Sequence, residues 1–299
     1  MIEEKKVLIL LAVFNGDKYL NEQISSLLDQ SGLDIRIVIS VDCSSDDSFD
    51  LCRKLSLEND LITVLSYGER YGGAGKNFYR LIHDVDLDSY DYIAFCDQDD
   101  IWSSDKLYRA IENLQLCDCY SSNVTAFWDD GHEVLIDKAQ PQREWDYLFE
   151  AAGPGCTYVF KRKVAVQFKI WLEERYEQIG KDIALHDWLL YAFSRSQGYS
   201  WFIDPEPTMF YRQHANNQVG TNNNFGAAKK RLKLIKTKWY RQQVTNIVIH
   251  LGLQNSPIYK EGLSNKYIGN LYLLAHIGKL RRRLRDRCAL AFVLLFNIF

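Results

Sequence analysis

The sequence predicts an α/β protein with a doubly wound, mostly parallel sheet, followed by a basic helical appendage. Strand and helix signals alternate through the first half of the chain, as expected for such a sheet. A cluster of acids at residues 97–100 follows directly after one apolar strand signal. The charge divides sharply near residue 226, where an acidic body gives way to a basic tail. Because ligands of open α/β sheets bind beyond the carboxyl ends of the strands, the acid cluster is the first candidate site.

Four strands with intervening helices are predicted in the first half. Each strand is a short apolar run followed by a polar turn, and the helices have apolar residues at helical spacing, as at Leu20, Ile24 and Leu27. Asp46 or Asp47 can cap the second helix. In chain order the predicted elements are strand 7–13, helix 19–30, strand 34–41, a helix ending at 57, strand 61–65, helix 77–84, strand 92–96 and a helix beginning near Trp102.

After about residue 141 the alternation is less regular. Residues 153–160 are predicted to form a loop that enters a strand, and residues 184–196 a helix that starts at His186. A strand at 201–204 is expected to end at Pro205, because proline has no N–H to donate to a sheet. A second strand end is predicted at Pro207, followed by a polar-tipped strand or turn at 209–214. From residue 227 onward the chain is predicted to be mostly helical. The chain therefore divides into a domain of residues 1–225 and a basic tail of residues 226–299.

The net charge of −3 conceals two oppositely charged parts. From Gly226 onward the chain holds 15 Lys and Arg but only two acids, Glu261 and Asp286, a balance of +13. The rest holds 21 bases and 37 acids, a balance of −16. An acidic body suits metal-dependent chemistry, and a basic tail is attracted to anionic phosphate, whether of lipid headgroups or of nucleic acid.

Composition excludes several classes of protein. A chain of 299 residues with 47% hydrophobic content can form a large core, so it is not disordered. Residues 1–6 are charged and pass straight into a strand signal without the apolar segment of a signal peptide, so we expect a cytoplasmic protein. Seven cysteines without C-x-x-C spacing indicate reduced thiols, not a disulfide framework or a zinc site.

The acid cluster is predicted to bind a divalent cation. Asp97, Asp99 and Asp100 come directly after the strand at 92–96, and crowded carboxylate oxygens suit Mg²⁺ or Mn²⁺. Such an ion would in turn hold a phosphate. The structural alternative is that Asp99 or Asp100 only caps a following helix, for which a single acid would suffice.

Two further motifs lie near other strand ends. Asp42 follows the strand at 34–41 and can accept the imide N–H of uracil or thymine; the alternative, a turn or cap, fits Ser45 and Asp46 better. The glycine-rich run at 72–77 does not match a phosphate-binding P-loop, since Arg70 replaces its first glycine and Asn77 follows Lys76. A flexible turn near a diphosphate and plain turn chemistry both remain open for it.

Taken together, these residues resemble the family 2 glycosyltransferases of the GT-A fold, especially bacterial enzymes that build rhamnose-containing or capsular polysaccharides. The resemblance covers roughly residues 7–220. It rests on several short motifs in a fixed order, namely Phe14-Asn15-Gly16, Tyr19-Leu20, Glu22-Gln23-Ile24, Asp42 to Asp46, Asn77-Phe78, Phe95 to Trp102, Gly155-Cys156-Thr157, His186-Asp187-Trp188 and residues 211–217.

The resemblance implies a role for each matching residue. Asp42 would hold the pyrimidine base, and the D-x-D of Asp97 and Asp99 would reach the ribose and the metal that bridges the diphosphate. Asp187 matches the catalytic base, and His214 would approach the metal or diphosphate. Phe14, Asn15 and Asn77 are expected to line the donor site. The chain departs from the family at Val41, where relatives commonly have an acid before the base-binding one.

The predicted function is that of an inverting, metal-dependent glycosyltransferase. The donor would be a dTDP- or UDP-sugar, with dTDP-rhamnose the leading candidate, and the acceptor a glycan or a lipid-linked saccharide. A nucleotidyltransferase also needs acids and a metal but has no need of Asp187 as an acceptor base. A non-catalytic sugar-nucleotide or nucleic-acid binding module is the third reading; no RNA-binding motif accompanies the basic tail, so nucleic acid is not an expected partner.

Three features of the sequence are open to two interpretations each. His186 could cap or hydrogen-bond, and Trp188 could pack in the core or form a platform for a sugar face. The basic, apolar-ended tail could lie on the anionic inner face of the cell membrane, which its charge pattern favours. It could also pack against the body or against a second copy in a homo-oligomer. Its last apolar segment, 288–299, is too short to cross a bilayer.

Overall fold

A computed structural model describes residues 5–214, 234 and 237–299. The predicted α/β class is confirmed, and strands β2 and β4 begin and end where the sequence predicted. The elements of the first half are β1 (Lys6–Val13), α1 (Asp17–Leu28), β2 (Asp34–Val41), α2 (Ser48–Glu58), β3 (Ile62–Val64), α3 (Ala74–Asp84) and β4 (Tyr92–Cys96).

The second half adds short strands and further helices. Between residues 101 and 212 it contains β5 (Ile101–Trp102), α4 (Lys106–Leu114), β6 (Cys119–Phe127), β7 (Glu133–Ile136), α5 (Asp146–Phe149), a 3-10 turn (Gly155–Thr157), β8 (Val159–Lys161), α6 (Arg162–Glu173), α7 (Tyr176–Asp182), α8 (His186–Ser196) and β9 (Trp201–Arg212). The tail forms α9 (Trp239–His250), a π-helical turn (Ile258–Leu263), α10 (Lys266–Ala275), α11 (Ile277–Leu280) and α12 (Leu284–Leu295).

The strands form one sheet in the order β3-β2-β1-β4-β8-β6-β9-β5, with β7 paired to β6. β1 to β4 are mutually parallel, whereas β8 runs antiparallel to both β4 and β6. β9 is parallel to β6 and antiparallel to β5. The carboxyl ends of β1, β2, β4, β6 and β9 therefore meet at one edge, and the loops that follow β1, β2 and β4 lie there together.

Two details of the sequence prediction are wrong. Trp102 belongs to β5, not to a helix, and α4 begins only at Lys106. β9 does not end at Pro205 or Pro207 but continues to Arg212. Both prolines lie where the pairing of β9 with β6 shifts register, and β5 pairs with β9 only at Met209 and beyond, so no ladder bond is lost to the missing N–H groups.

The sheet separates two apolar layers because alternate residues of each strand point to opposite faces. Val7, Ile9 and Leu11 of β1 pack with α1, α2 and α4. Leu8 and Leu10 face the other layer, which contains α3, α6 and α8. The helices of the tail complete this second layer, so the two parts of the chain share a core.

The tail packs through both apolar and charged side chains. Leu290, Leu294 and Phe299 are buried in the second layer. Arg282 is fully buried and pairs with the buried carboxylate of Asp146 at 3.1 Å. No helix of the described chain is long and apolar enough to cross a membrane. The predicted boundary at 225/226 and the five bases Lys229, Lys230, Arg231, Lys233 and Lys236 lie outside the described residues.

Candidate active site

The predicted acid cluster lies in the loop between β4 and β5. Asp97 is half-buried, and burial, reinforced by the nearby charges of Asp99 and Asp187, raises its pKa to about 7. Asp100 is buried, and burial together with the charges of Asp99 and Asp97 raises its pKa well above the usual range. These carboxylates repel one another when ionised, and a bound cation would relieve that repulsion.

Asp100 does not cap a helix, and neither does Asp99, because the N-cap of α4 is Asp105. The Oδ1 atom of Asp100 accepts a hydrogen bond from the backbone N–H of Arg212 at 3.1 Å. Its buried Oδ2 atom has no hydrogen-bond partner among the described residues. The structural alternative for these two acids is therefore wrong, and one buried carboxylate oxygen still has an unused lone pair.

The three predicted metal ligands are not gathered into one group. Asp99 and His214 do meet, with the Nε2 atom of His214 and the Oδ2 atom of Asp99 2.7 Å apart. Asp97 instead groups with Asp100 and Cys156, whose ligand atoms lie within 4.8 Å of one another. Burial raises the pKa of Cys156 and keeps it a neutral thiol, so the carboxylates are the better ligands of the two kinds.

The donor set fits a hard divalent cation. It offers carboxylate oxygens from Asp97, Asp99 and Asp100 and an imidazole from His214; one of the carboxylate oxygens is buried and has no hydrogen-bond partner within the described ranges. A Mg²⁺ or Mn²⁺ ion would compensate the charge of the acids.

Arg212, at the end of β9, holds the loop that carries Asp97, Asp99 and Asp100 in place. Its guanidinium pairs with Glu22 of α1 and donates to the backbone oxygen of Asp99 at 2.9 Å. The same guanidinium lies over the ring of Tyr19 at 4.5 Å. Glu22 and Arg212 both fall in motifs that carry the family resemblance, but no role of Arg212 follows from the sequence. Their pairing depends on the fold, which brings α1 and β9 together.

Gln98, in the middle of the D-x-D, connects the acidic loop to the end of β1. Its side-chain amide accepts from the N–H of Phe14 at 2.7 Å and donates to the backbone oxygen of Phe14 at 2.9 Å. The Phe14 side chain itself is 46% exposed and free to contact a ligand. Gln98 was missed as a site residue because its role is a pairing across 84 positions of sequence.

Asn15 connects the loops after β1 and β2. Its backbone is left-handed, with φ of 49°, and its side-chain oxygen accepts from the N–H of Ser45 at 2.8 Å. Its own N–H donates to the hydroxyl of Ser44 at 3.1 Å. Asn15 therefore shapes the rim of the site between the two strand ends.

Asp42 and Asn77 are both buried at the end of β2. The carboxylate of Asp42 accepts from the backbone N–H groups of Tyr71 and Gly72, each at 2.8 Å, and so anchors the loop before α3. Asn77 accepts from the hydroxyl of Ser40 and donates to the Ser40 backbone oxygen at 3.0 Å. Both polar atoms of the Asn77 amide are hydrogen-bonded within the protein. Asn77 would therefore support donor binding by holding the end of β2 in place, not by contacting the donor.

Asp187 lies in the first turn of α8, and it raises the pKa of Asp97. Burial raises the pKa of Asp187 itself to about 6. Its Oδ1 atom accepts from the N–H of Trp188 at 2.8 Å, which fixes the side chain at the helix start. A half-buried carboxylate held in this way and poised near neutral pH is suited to accept a proton.

The neighbours of Asp187 have packing roles. His186 stacks on Phe78 with ring centroids 3.8 Å apart, and burial lowers its pKa to about 3, so it stays neutral. Trp188 is buried, donates its indole N–H to the backbone oxygen of Tyr147 at 3.1 Å and stacks on Tyr240. Of the two interpretations of Trp188, core packing agrees with these contacts.

Two glycines allow the elements around Asp187 to approach closely. A Cβ atom on Gly75 would lie 2.2 Å from the backbone oxygen of Ala184, just before α8. One on Gly155 would lie 2.7 Å from the imidazole of His186 and 3.0 Å from the Cβ of Asp187. In the glycine-rich run, Gly75 therefore serves to pack α3 against the start of α8.

The site combines crowded acids suited to a divalent cation with a carboxylate suited to accept a proton, as in metal-dependent group-transfer enzymes, and comparison with known proteins identifies the family. Residues 8–159 match the model of glycosyl transferase family 2, and the chain belongs to that family. The chain is 47% identical to the dTDP-rhamnosyl transferase RfbG of Shigella flexneri over 292 residues, which cover 97% of this chain and all of that protein.

Solved structures share the GT-A fold of this chain. One is Staphylococcus aureus TarS 1–349 in complex with UDP-GlcNAc, with a TM-score of 0.55 and 13% identity over 98% of this chain and 90% of that one. Another is the mannosyltransferase PcManGT of Pyrobaculum calidifontis in complex with GDP-Man and Mn²⁺, with a TM-score of 0.52 and 13% identity over all of this chain and 82% of that one. The predicted family and GT-A-like fold are confirmed.

Proposed function

We propose that this glycosyltransferase moves rhamnose from dTDP-rhamnose to a glycan or lipid-linked saccharide acceptor. The observation that carries the proposal is the 47% identity to a dTDP-rhamnosyl transferase along the whole length of that protein. The site agrees with it, because acids suited to a diphosphate-bound cation lie beside a carboxylate suited to activate an acceptor hydroxyl.

The donor would lie along the loops that follow β1, β2 and β4. Asp42 accepts the imide N–H of thymine with the lone pair of Oδ2 that its three backbone donors, Cys43, Tyr71 and Gly72, leave unused. Phe14 offers an exposed aromatic face to the nucleoside, and Asn15 holds the rim between the two loops. The diphosphate then lies over Asp97 and Asp99.

Mg²⁺ or Mn²⁺, held by Asp97 and Asp99 with His214 beside them, would supply Lewis-acid stabilisation of the leaving diphosphate. The protein contributes the acceptor half of the reaction. Asp187 takes the proton of the acceptor hydroxyl while the oxygen forms a bond to the anomeric carbon of rhamnose. The bond from that carbon to the diphosphate breaks, and dTDP leaves with the electron pair. A single displacement of this kind inverts the anomeric centre.

The same proposal sets the place of action. A lipid-linked acceptor is found at a membrane, so the enzyme would act in the cytoplasm as a peripheral protein on the inner face of the cell membrane. The basic tail, with its balance of +13, is the part of the chain that such a surface would attract.

A panel of nucleotide sugars tests the donor and the metal together. The purified enzyme is incubated with dTDP-rhamnose, UDP-glucose and GDP-mannose in the presence of Mn²⁺ or excess EDTA, and released nucleoside diphosphate and pyrophosphate are measured. We expect dTDP release from dTDP-rhamnose that EDTA abolishes. Release of pyrophosphate would indicate a nucleotidyltransferase, and full turnover in EDTA would contradict the metal requirement.

A further inference from the structure

The C-terminal helices present an exposed apolar surface to solvent. We define the C-terminal apolar face by six side chains, each between 42% and 75% exposed: Tyr267, Ile268, Leu271, Phe292, Leu295 and Phe296. The opposite sides of the same helices are occupied with packing, since Leu273, Leu290 and Leu294 are buried in the core. The apolar face is thus additional to what the fold requires.

These side chains lie next to one another across two helices. The hydroxyl of Tyr267 on α10 donates to the backbone oxygen of Leu295 on α12 at 3.3 Å. The rings of Phe292 and Phe296 are 4.5 Å apart. Leu271 follows Tyr267 after one helical turn. A contiguous exposed apolar surface of this kind marks an interaction site, whereas scattered single residues would not.

A basic cavity of about 320 Å³ borders the apolar face. Its lining is Lys238, Arg241, Leu263, Ser264, Lys266 and Asn297. Lys266 directly precedes Tyr267, and Asn297 directly follows Phe296, so the cavity and the face share an edge. Three non-glycine residues of the lining, Lys238, Lys266 and Asn297, have left-handed backbone, a costly conformation that often accompanies function.

The cations of the cavity have no acidic partners in the part of the chain that the structure describes. Arg241 is half-buried, yet it donates only to neutral oxygens, the side chain of Asn270 and the backbone of Leu263, both at 2.7 Å. Lys238 and Lys266 are exposed and form no ion pair there. Three unpaired cations with a neighbouring hydroxyl, that of Ser264, are the chemistry of a phosphate site.

We propose that this surface docks the enzyme on an anionic phospholipid bilayer. The C-terminal apolar face enters the interfacial region, and the basic cavity receives the phosphate of a lipid headgroup. Charge complementarity favours a bilayer over a second copy of the chain, because two copies joined at this face would bring like-charged rims together. In the sequence, residues 229–236 precede Lys238 and include five further bases.

This inference extends the proposed function, in which the acceptor is lipid-linked, but it is tested by binding alone. Deleting the tail is not a clean test, since the deletion would remove Arg282 and Phe299, which are buried against the body. Exposed point substitutions leave those contacts intact. The charge variant is K238N/K266Q, and the apolar variant is I268N/F296S.

Matched controls come from distant exposed residues of the same types. K54Q/K181Q removes two exposed lysines of α2 and α7. L57N/L116N removes two exposed leucines, 79% and 92% exposed. Co-sedimentation with phosphatidylcholine vesicles, with and without phosphatidylglycerol, then measures the fraction bound at low and high salt, and light scattering measures the oligomeric state.

We expect the wild type and both controls to bind phosphatidylglycerol vesicles and to bind neutral vesicles much less. The charge variant should weaken binding roughly tenfold to thirtyfold, the scale of two bases at an anionic surface. The apolar variant should retain binding at low salt but lose the salt-resistant fraction.

Three results would overturn the docking proposal: no vesicle binding by the wild type, equal loss in the control variants, or a dimer that only I268N/F296S dissociates. The last would assign the face to a second copy. Release of dTDP from dTDP-rhamnose with a short, lipid-free acceptor is measured in parallel. If that release persists while vesicle binding is absent, the docking proposal fails and the proposed function stands.

Discussion

Asp187 lies in surroundings that resist its ionisation. Burial raises its pKa to about 6, and the partial positive charge at the start of α8 and the N–H of Trp188 offset only part of that effect. A free aspartate has a pKa near 3.9 and is a weak base. The raised pKa makes Asp187 a better proton acceptor while leaving it mostly ionised above pH 7.

The ionised form of Asp187 should lower stability. Its pKa is about 6 when folded and near 3.9 when unfolded, so the folded state binds the proton more tightly and stability falls as pH rises between these values. Asp187→Asn should therefore raise the free energy of unfolding at pH 8 by up to about 3 kcal/mol, and the gain should vanish below about pH 4. Urea unfolding at both pH values measures this. Equal stability of the two proteins at pH 8 would contradict the burial cost.

Asp42 has two possible effects on nucleotide binding, and a modified base separates them. Asp42→Ala should weaken dTDP binding by about 1–3 kcal/mol if the carboxylate accepts the thymine imide. The wild type should then bind N3-methyl-dTDP weakly, and Asp42→Ala should bind both nucleotides alike. If Asp42 only anchors Tyr71 and Gly72, the wild type will bind the two nucleotides equally and the variant will lose affinity for both. Calorimetry with the two ligands measures these affinities.

At the scale of elements, α3 and α8 hold the site together through a close contact at Gly75. The Cβ of an alanine there would overlap the backbone oxygen of Ala184, so Gly75→Ala should destabilise the protein by about 1–3 kcal/mol. Gly180 in α7 is the matched control, since no atom lies within 4 Å of its added Cβ, and Gly180→Ala should stabilise by up to about 1 kcal/mol. Thermal melts compare the two. A neutral Gly75→Ala variant would mean that the helices can separate without cost.

The strands that sequence analysis placed well are buried on both faces. β4 is a continuous apolar run, and β2 is apolar from Ile37 to Val41 except for Ser40. Both end in polar turns, and a local pattern of that kind is sufficient to locate them. β5 has only two residues, and the continuation of β9 past Pro205 depends on irregular pairing with β6. Such features are set by the partner strand and have no local signal.

The candidate site shows the same difference between residues with a local sequence signal and residues whose role depends on a partner distant in sequence. The acid cluster was predicted because crowded carboxylates directly after a strand carry chemistry at a recognisable position, and Asp187 was predicted from the resemblance to family 2 glycosyltransferases. Gln98 and Arg212 were missed because their roles consist of partners, Phe14 in one case and Glu22 in the other, that only the fold brings near. The grouping of Asp97 with Asp100 and Cys156 likewise depends on where β8 and the turn before it lie.

At the scale of the whole molecule, the tail is joined to the body by a buried ion-pair network. Arg282 pairs with Asp146 at 3.1 Å and donates to the backbone oxygen of Ala151 at 2.6 Å, with its side chain fully buried. Asp146 also receives Arg195 at 3.3 Å. From the sequence, the basic tail could lie on a lipid surface or pack against the body. Arg282 packs inward, where Asp146 of α5 and Glu150 directly after it compensate its charge.

Removing Arg282 should destabilise the contact between the tail and the body. Arg282→Ala removes one of the two arginines that pair with the buried carboxylate of Asp146, and it should lower the free energy of unfolding by about 3–5 kcal/mol. The adjacent Arg283 is the control, because its pair with Asp137 spans 3.8 Å and is 31% and 42% exposed, so Arg283→Ala should cost less than about 1 kcal/mol. Denaturant melts of both variants compare the two costs. Equal, small losses would show that the tail is not tied to the body at this point.

The central proposal for this enzyme is transfer from dTDP-rhamnose with Asp187 as the base. The measurement that tests it most directly is the turnover of wild type and Asp187→Asn with dTDP-rhamnose and Mn²⁺, beside calorimetric binding of the donor. We predict that turnover falls by about 10²-fold or more, the scale of general base catalysis, while donor affinity changes little. Unchanged turnover in Asp187→Asn, or no transfer from dTDP-rhamnose by the wild type, would contradict the account.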